Sequence, residues 1–141
     1  MSFASLFASM FVRGLRRARK DKARIENFNS RWEHLTEIHR LTTKDFIEPL
    51  EPYASNMKST EYLKFQELIN DMNEWYNEIN SNINQAKQSH LSRYATSIKK
   101  VAIRSIKLCK KYKVYPDIES VNYVASEKAL YLNGNKHYTF G

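Results

Sequence analysis

From residue 65 to residue 86, apolar side chains recur in steps of three and four: Phe65, Leu68, Met72, Trp75, Ile79, Ile83 and Ala86. That spacing keeps them on one side of an α-helix, and Ile69 and Tyr76 widen the stripe. Ser59 can cap its start, and Glu61 in the first turn suits the positive end of the helix dipole. A helix is therefore predicted from about Ser59. A second stripe follows at Leu91, Tyr94, Ile98, Val101, Ser105, Leu108 and Tyr112, with Ala102, Ile106 and Cys109 beside it. It predicts another helix from about Leu91 to Tyr112. The polar QSHLS at 88–92 is the predicted turn between them. It contains neither Gly nor Pro, so one continuous rod is the alternative. The hairpin is preferred, because a rod leaves both stripes without a partner.

Upstream, Ile25, Phe28, Trp32, Leu35, Ile38 or His39, and Phe46 carry a helical period from Lys22 to Phe46. Pro49 and Pro52 are expected to stop that helix, since the residue before a proline is pushed towards extended geometry. The first residues, MSFASLFASMFVRGLRRARKDKAR, place Phe3, Leu6, Phe7, Met10, Phe11, Leu15 and Ala18 on one side of a wheel. Arg13, Arg16, Arg17, Arg19 and Lys20 fall largely on the other. This basic amphipathic helix can run on into the next one, with Gly14 a weak point costing about 1 kcal/mol relative to Ala.

The texture changes after Lys113. Pro116 and Asp117 read as a helix start, so IESVNYVASE is expected to form a short fourth helix. ALYLNGNKHYTF then alternates around Asn133-Gly134, the strongest short-range signal for a β-hairpin. A lone hairpin is marginal in water and must dock on something.

These elements predict a mostly α fold. The core is a helical bundle or long antiparallel helical hairpin, with an N-terminal basic amphipathic helix and a small C-terminal β-hairpin. The expected divisions are 1–24, 25–113 and 114–141. Three Gly and three Pro in 141 residues agree, because little interrupts a helix. The single Cys109 cannot close an internal disulfide and lies on the apolar side of its helix, where it reads as an inert buried residue. A reducing compartment, cytoplasmic or other, is expected.

Charge changes the picture most. The formal net charge is +8, and it comes in blocks. Residues 13–24 carry +6 and residues 93–113 carry +8 with no acid, whereas 25–89 carry −5. Lys99, Lys100, Arg104, Lys107, Lys110 and Lys111 share one side of their helix, opposite the apolar stripe. Glu67, Asp71, Glu74 and Glu78 form an acidic line on the preceding helix, expected to flank and partly bridge that basic side. Four carboxylates cannot neutralise eight cations, and the surplus favours a polyanion such as nucleic acid. The candidate polyanion-binding residues are Arg13, Arg16, Arg17, Arg19, Lys99, Lys100, Arg104, Lys107, Lys110 and Lys111.

The expected function is a non-enzymatic structural or adaptor subunit of a larger assembly, an oligomer with other protein subunits. The rival is a peripheral membrane protein in which Phe3, Leu6, Phe7, Met10 and Phe11 enter an anionic interface. The same five residues are the candidate contacts to a partner subunit. An organellar transit peptide has similar composition. The apolar run is too short to span a bilayer, and its charges follow it, whereas a secretory signal carries them in front. Export is not expected. No metal or cofactor is expected either: His34 and His39 stand five apart, which separates their rings, and His34 with Glu37 reverses the Glu-x-x-His order of di-iron helices.

Overall fold

The computed structural model describes the backbone from Phe3 and the side chains from Lys20 to Gly141. Three long helices dominate it: α1 (Phe3–Thr42), α2 (Ser59–Ser81) and α3 (Gln88–Lys111). A three-stranded antiparallel sheet follows, made of β1 (Val121–Val124), β2 (Ala129–Leu132) and β3 (Asn135–Thr139) in that order.

Helix α3 is the centre of the molecule and packs against α1, α2 and β1. Its apolar stripe is wide enough for this: Leu91, Tyr94, Ile98, Val101, Ala102, Ser105, Ile106, Leu108 and Cys109 are all buried. Cross-contacts fix the directions. Trp75 meets His90, Asp71 meets Ser97 and Glu61 meets Lys111, so α2 runs antiparallel to α3. Arg31 meets Gln88 and Ser92, His39 meets Tyr94 and Phe46 meets Cys109, so α1 runs parallel to it. The hairpin of the second and third predicted helices is thus present. Its turn lies earlier than predicted, over Asn82–Lys87, and QSHLS is the first turn of α3. The asparagine-rich stretch before it supplies residues that tolerate turn geometry. His90 then fixes the helix start, its Nδ1 accepting the Lys87 backbone N–H at 2.9 Å.

The prolines do not stop the first helix as expected. α1 passes into a π-turn (Thr43–Ile47) and then a 3₁₀ segment (Glu48–Asn56), with Pro49 in its first turn and Pro52 inside it. Glu48, before Pro49, keeps helical angles, and the backbone becomes extended only at Met57. Two side chains hold the widened turn: the Tyr115 hydroxyl donates to the Asp45 carbonyl, and the Cys109 thiol donates to the Phe46 carbonyl at 3.3 Å. A π-turn leaves carbonyls out of the usual ladder, and such donors compensate.

The expected fourth helix is a strand. IESVNYVASE supplies β1, which pairs Val121 with Leu132 and Val124 with Ala129. Val, Asn, Tyr and Val suit a half-buried strand, and pairing with the hairpin outweighs the Pro-Asp start signal. The predicted hairpin is present: Asn133 and Gly134 take φ of 52° and 78° at the β2–β3 turn. A third strand and burial of Leu130, Tyr138 and Phe140 in the common core solve its docking problem.

Candidate polyanion-binding face

With about half its circumference buried, α3 turns the other half to solvent. That half carries Arg93, Lys99, Lys100, Arg104, Lys107, Lys110 and Lys111 and no acidic residue. Lys100, Arg104, Lys107 and Lys111 are all exposed and succeed one another at steps of four, three and four. At 1.5 Å per residue this makes a cationic ridge about 16 Å long. Lys100, Arg104 and Lys107 make no ion pair among the described residues.

The flanks differ. On the side of α2, Lys111 Nζ lies 2.7 Å from Glu61, whose other oxygen accepts the Tyr112 hydroxyl at 2.8 Å. Those hydrogen bonds from Lys111 and Tyr112 hold the Glu61 carboxyl below the ordinary carboxylate value, and the same bond raises Lys111. On the side of the sheet, Lys99 is half-buried with its ammonium 4.9 Å from the Tyr123 ring centre, and Lys110 donates to the Glu119 carbonyl at 2.5 Å. Lys99 and Lys110 therefore tie α3 to the C-terminal segment as well as adding charge. The six sequence-predicted cations of α3 form one continuous face, but only the middle three stand clear of neighbours. Arg93 was not among them; its guanidinium lies 5.6 Å from the Trp75 ring centre and extends the face towards the start of α3.

The expected bridging by the acidic line of α2 does not occur. Glu67, Asp71, Glu74 and Glu78 are exposed and make no ion pair among the described residues. Asp71 accepts the Ser97 hydroxyl at 2.6 Å instead, and among the described residues Glu61 is the one acid of α2 in an ion pair with α3. Antiparallel pairing brings the first turn of α2 beside the last turn of α3, which favours Glu61. The side chains of Arg13, Arg16, Arg17 and Arg19, and of Phe3, Leu6, Phe7, Met10 and Phe11, lie outside the described residues.

Each histidine has a packing partner. His34 Nε2 lies 2.7 Å from the Thr139 carbonyl and clamps β3 to α1. His90 caps α3, and His137 packs edge-on to Phe46 and tilted against Tyr138. His39 is half-buried, bonded through Nδ1 to the Tyr94 hydroxyl at 2.5 Å and edge-on to Tyr76. Burial, partly offset by Asn73, lowers its proton affinity. It borders an open cleft of about 970 Å³ shared with Glu37, Arg40, Lys44, Asn73 and Asn77. Arg40 is held there by two bonds to Glu37. Cys109 is fully buried, and burial pushes its thiol up to about 12, so it carries no thiolate at neutral pH. Among the described residues no group of three or more His, Cys, Asp or Glu is placed to hold a metal, and no helix is long and apolar enough to cross a membrane.

No protein-family model, curated protein or solved structure matches this chain.

Proposed function

We propose that this protein is a small, non-catalytic structural or adaptor subunit that presents the cationic face of α3 to a polyanion, nucleic acid foremost, and docks its N-terminal helix on a partner subunit. The observation that carries the reading is the ridge of Lys100, Arg104 and Lys107, exposed and without ion pairs among the described residues. Like charges four residues apart on a helix repel one another, so the ridge weakens its own helix unless an anion completes it. Clustered Lys and Arg neutralise phosphates and release counterions, a contribution to binding that carries no sequence preference. The histidines support a non-catalytic role, since His34, His39 and His90 are spent on holding elements together.

The test is binding to duplex DNA and to RNA over a salt series. The logarithm of affinity should fall linearly with the logarithm of salt. Replacing Lys100, Arg104 and Lys107 together by Gln should reduce that slope by roughly three, about one per lost phosphate contact. Lys99 and Lys110 are left intact because they also hold the C-terminal segment. An unchanged slope in the triple variant would defeat the reading.

A further inference from the structure

The β2–β3 turn carries the only asparagine of the chain that is followed by glycine, Asn133-Gly134. Both residues are exposed, with φ of 52° and 78°. The Gly134 N–H donates to no backbone carbonyl among the described residues, and a Cβ placed on Gly134 would meet nothing within 4 Å. Solvent and base therefore reach this nitrogen, and no side chain shields it. It stands next in the chain to an amide that it can attack. Hydroxide removes the Gly134 amide proton, and the nitrogen adds to Asn133 Cγ. The N–Cγ bond forms and the Cγ–Nδ2 bond breaks, while Nδ2 takes a proton from water and leaves as ammonia, which returns hydroxide. Water then opens the cyclic imide at either carbonyl. Breaking the new N–Cγ bond leaves aspartate. Breaking the bond to the original main-chain carbonyl leaves isoaspartate, with the main chain rerouted through Cγ. Nothing is oxidised or reduced.

The fold restrains this step. Asn133 Oδ1 accepts the Glu119 and Ser120 N–H groups at 2.8 and 3.0 Å, and Nδ2 donates to the Asp117 carbonyl at 2.7 Å. The Asn133 N–H donates to the Ser120 carbonyl at 3.0 Å. The amide cannot turn towards its own chain neighbour while both of its ends are tied to the segment ahead of β1. We propose that Asn133 is a site of spontaneous deamidation whose rate is set by opening of the Asp117–Ser120 segment, and that conversion releases this segment irreversibly. Either product loses the bond to the Asp117 carbonyl. An aspartate there has only acceptor oxygens where Nδ2 donated, and isoaspartate lengthens the turn by one main-chain carbon. The released segment includes the Glu119 carbonyl that holds Lys110, so one flank of the cationic face loosens with it. This inference does not depend on what that face binds.

The test incubates the full chain at mildly alkaline pH, in native buffer and in concentrated urea. Peptide mass spectrometry and an isoaspartyl assay follow conversion at each asparagine. In urea Asn133 should convert ahead of every other asparagine; conversion led there by another one would overturn the site. In native buffer Asn133 should convert about tenfold more slowly or less, because its three bonds must first open. That slowing should match the protection of the Glu119 and Ser120 amides from hydrogen exchange, since both processes need the same opening. Equal rates in the two buffers, or a slowing unrelated to that protection, would overturn the control by opening. Asn133→Asp reproduces one product. It should keep its helical circular dichroism and melt a few degrees below wild type, and a wild-type melting temperature would overturn the release of the segment.

Discussion

His39 sits where α1, α2 and α3 meet, bonded to the fully buried Tyr94 and edge-on to Tyr76. A proton on its ring is opposed mainly by lost hydration, so its folded value lies below the ordinary 6.5. The sign of the consequence follows by linkage. Above 6.5 both folded and unfolded rings are neutral, and His39 adds no pH dependence. As pH falls below it, the unfolded chain takes up a proton that the folded ring resists, and stability declines until the folded value is passed. Proton NMR of the His39 ring should show a midpoint below 6.5. In denaturant titrations, His39→Gln should lose part of the decline in stability between neutral and mildly acidic pH. A variant that keeps the whole decline would assign it to other groups. In the sequence this histidine was legible as an alternative to Ile38 in the apolar stripe, but its partner Tyr94, 55 residues away, was not.

Among the elements, the C-terminal sheet shows how one turn residue serves two neighbours. Asn133 takes the positive φ that its place before Gly134 requires, and its side chain also reaches back to the segment ahead of β1. Its Oδ1 accepts the Glu119 and Ser120 N–H groups at 2.8 and 3.0 Å, and its Nδ2 donates to the Asp117 carbonyl at 2.7 Å. Asn133→Gly keeps the turn but loses all three bonds. Each net bond contributes about 0.5–1.5 kcal/mol, and these are solvent-exposed, so a cost of about 1–2 kcal/mol is expected in chemical denaturation. A cost near zero would mean the turn conformation alone accounts for this asparagine. The Asn-Gly signal was readable because type I′ geometry is local. The strand character of 121–124 was not, because β1 exists only by pairing with β2, and its Pro-Asp prelude points locally to a helix.

On the scale of the whole molecule, charge segregation becomes a stability term. The α3 ridge leaves cations side by side on one helix, and among the described residues Glu61 with Lys111 is the one ion pair joining α2 to α3. Exposed pairs contribute little, about 0.2–1 kcal/mol, while repulsion along the ridge acts over several neighbours. Salt screens both, and repulsion is the larger. The melting temperature should therefore rise as ionic strength goes from about 0.01 M towards 0.1 M, where the Debye length falls from about 30 to about 10 Å. The Lys100, Arg104 and Lys107 triple Gln variant should melt higher than wild type at low salt and lose that advantage at high salt. A melting temperature that falls with salt would show that attraction across the α2–α3 boundary outweighs repulsion along the ridge.

The amino-acid sequence by itself determined the three helical stretches, the β-hairpin turn at Asn133-Gly134 and the sidedness of α3. Those depend on period and on residue type, which neighbours along the chain carry. Only the tertiary structure decided which acid meets which base, where the prolines lead and what β1 becomes. Glu61 rather than the longer acidic line meets Lys111 because the antiparallel packing of α2 and α3 brings their ends together. The chain stays helical through Pro49 because Tyr115 and Cys109, far along the sequence, hold the carbonyls of the π-turn. Groups that are distant in the chain and adjacent in space have no local pattern to announce them.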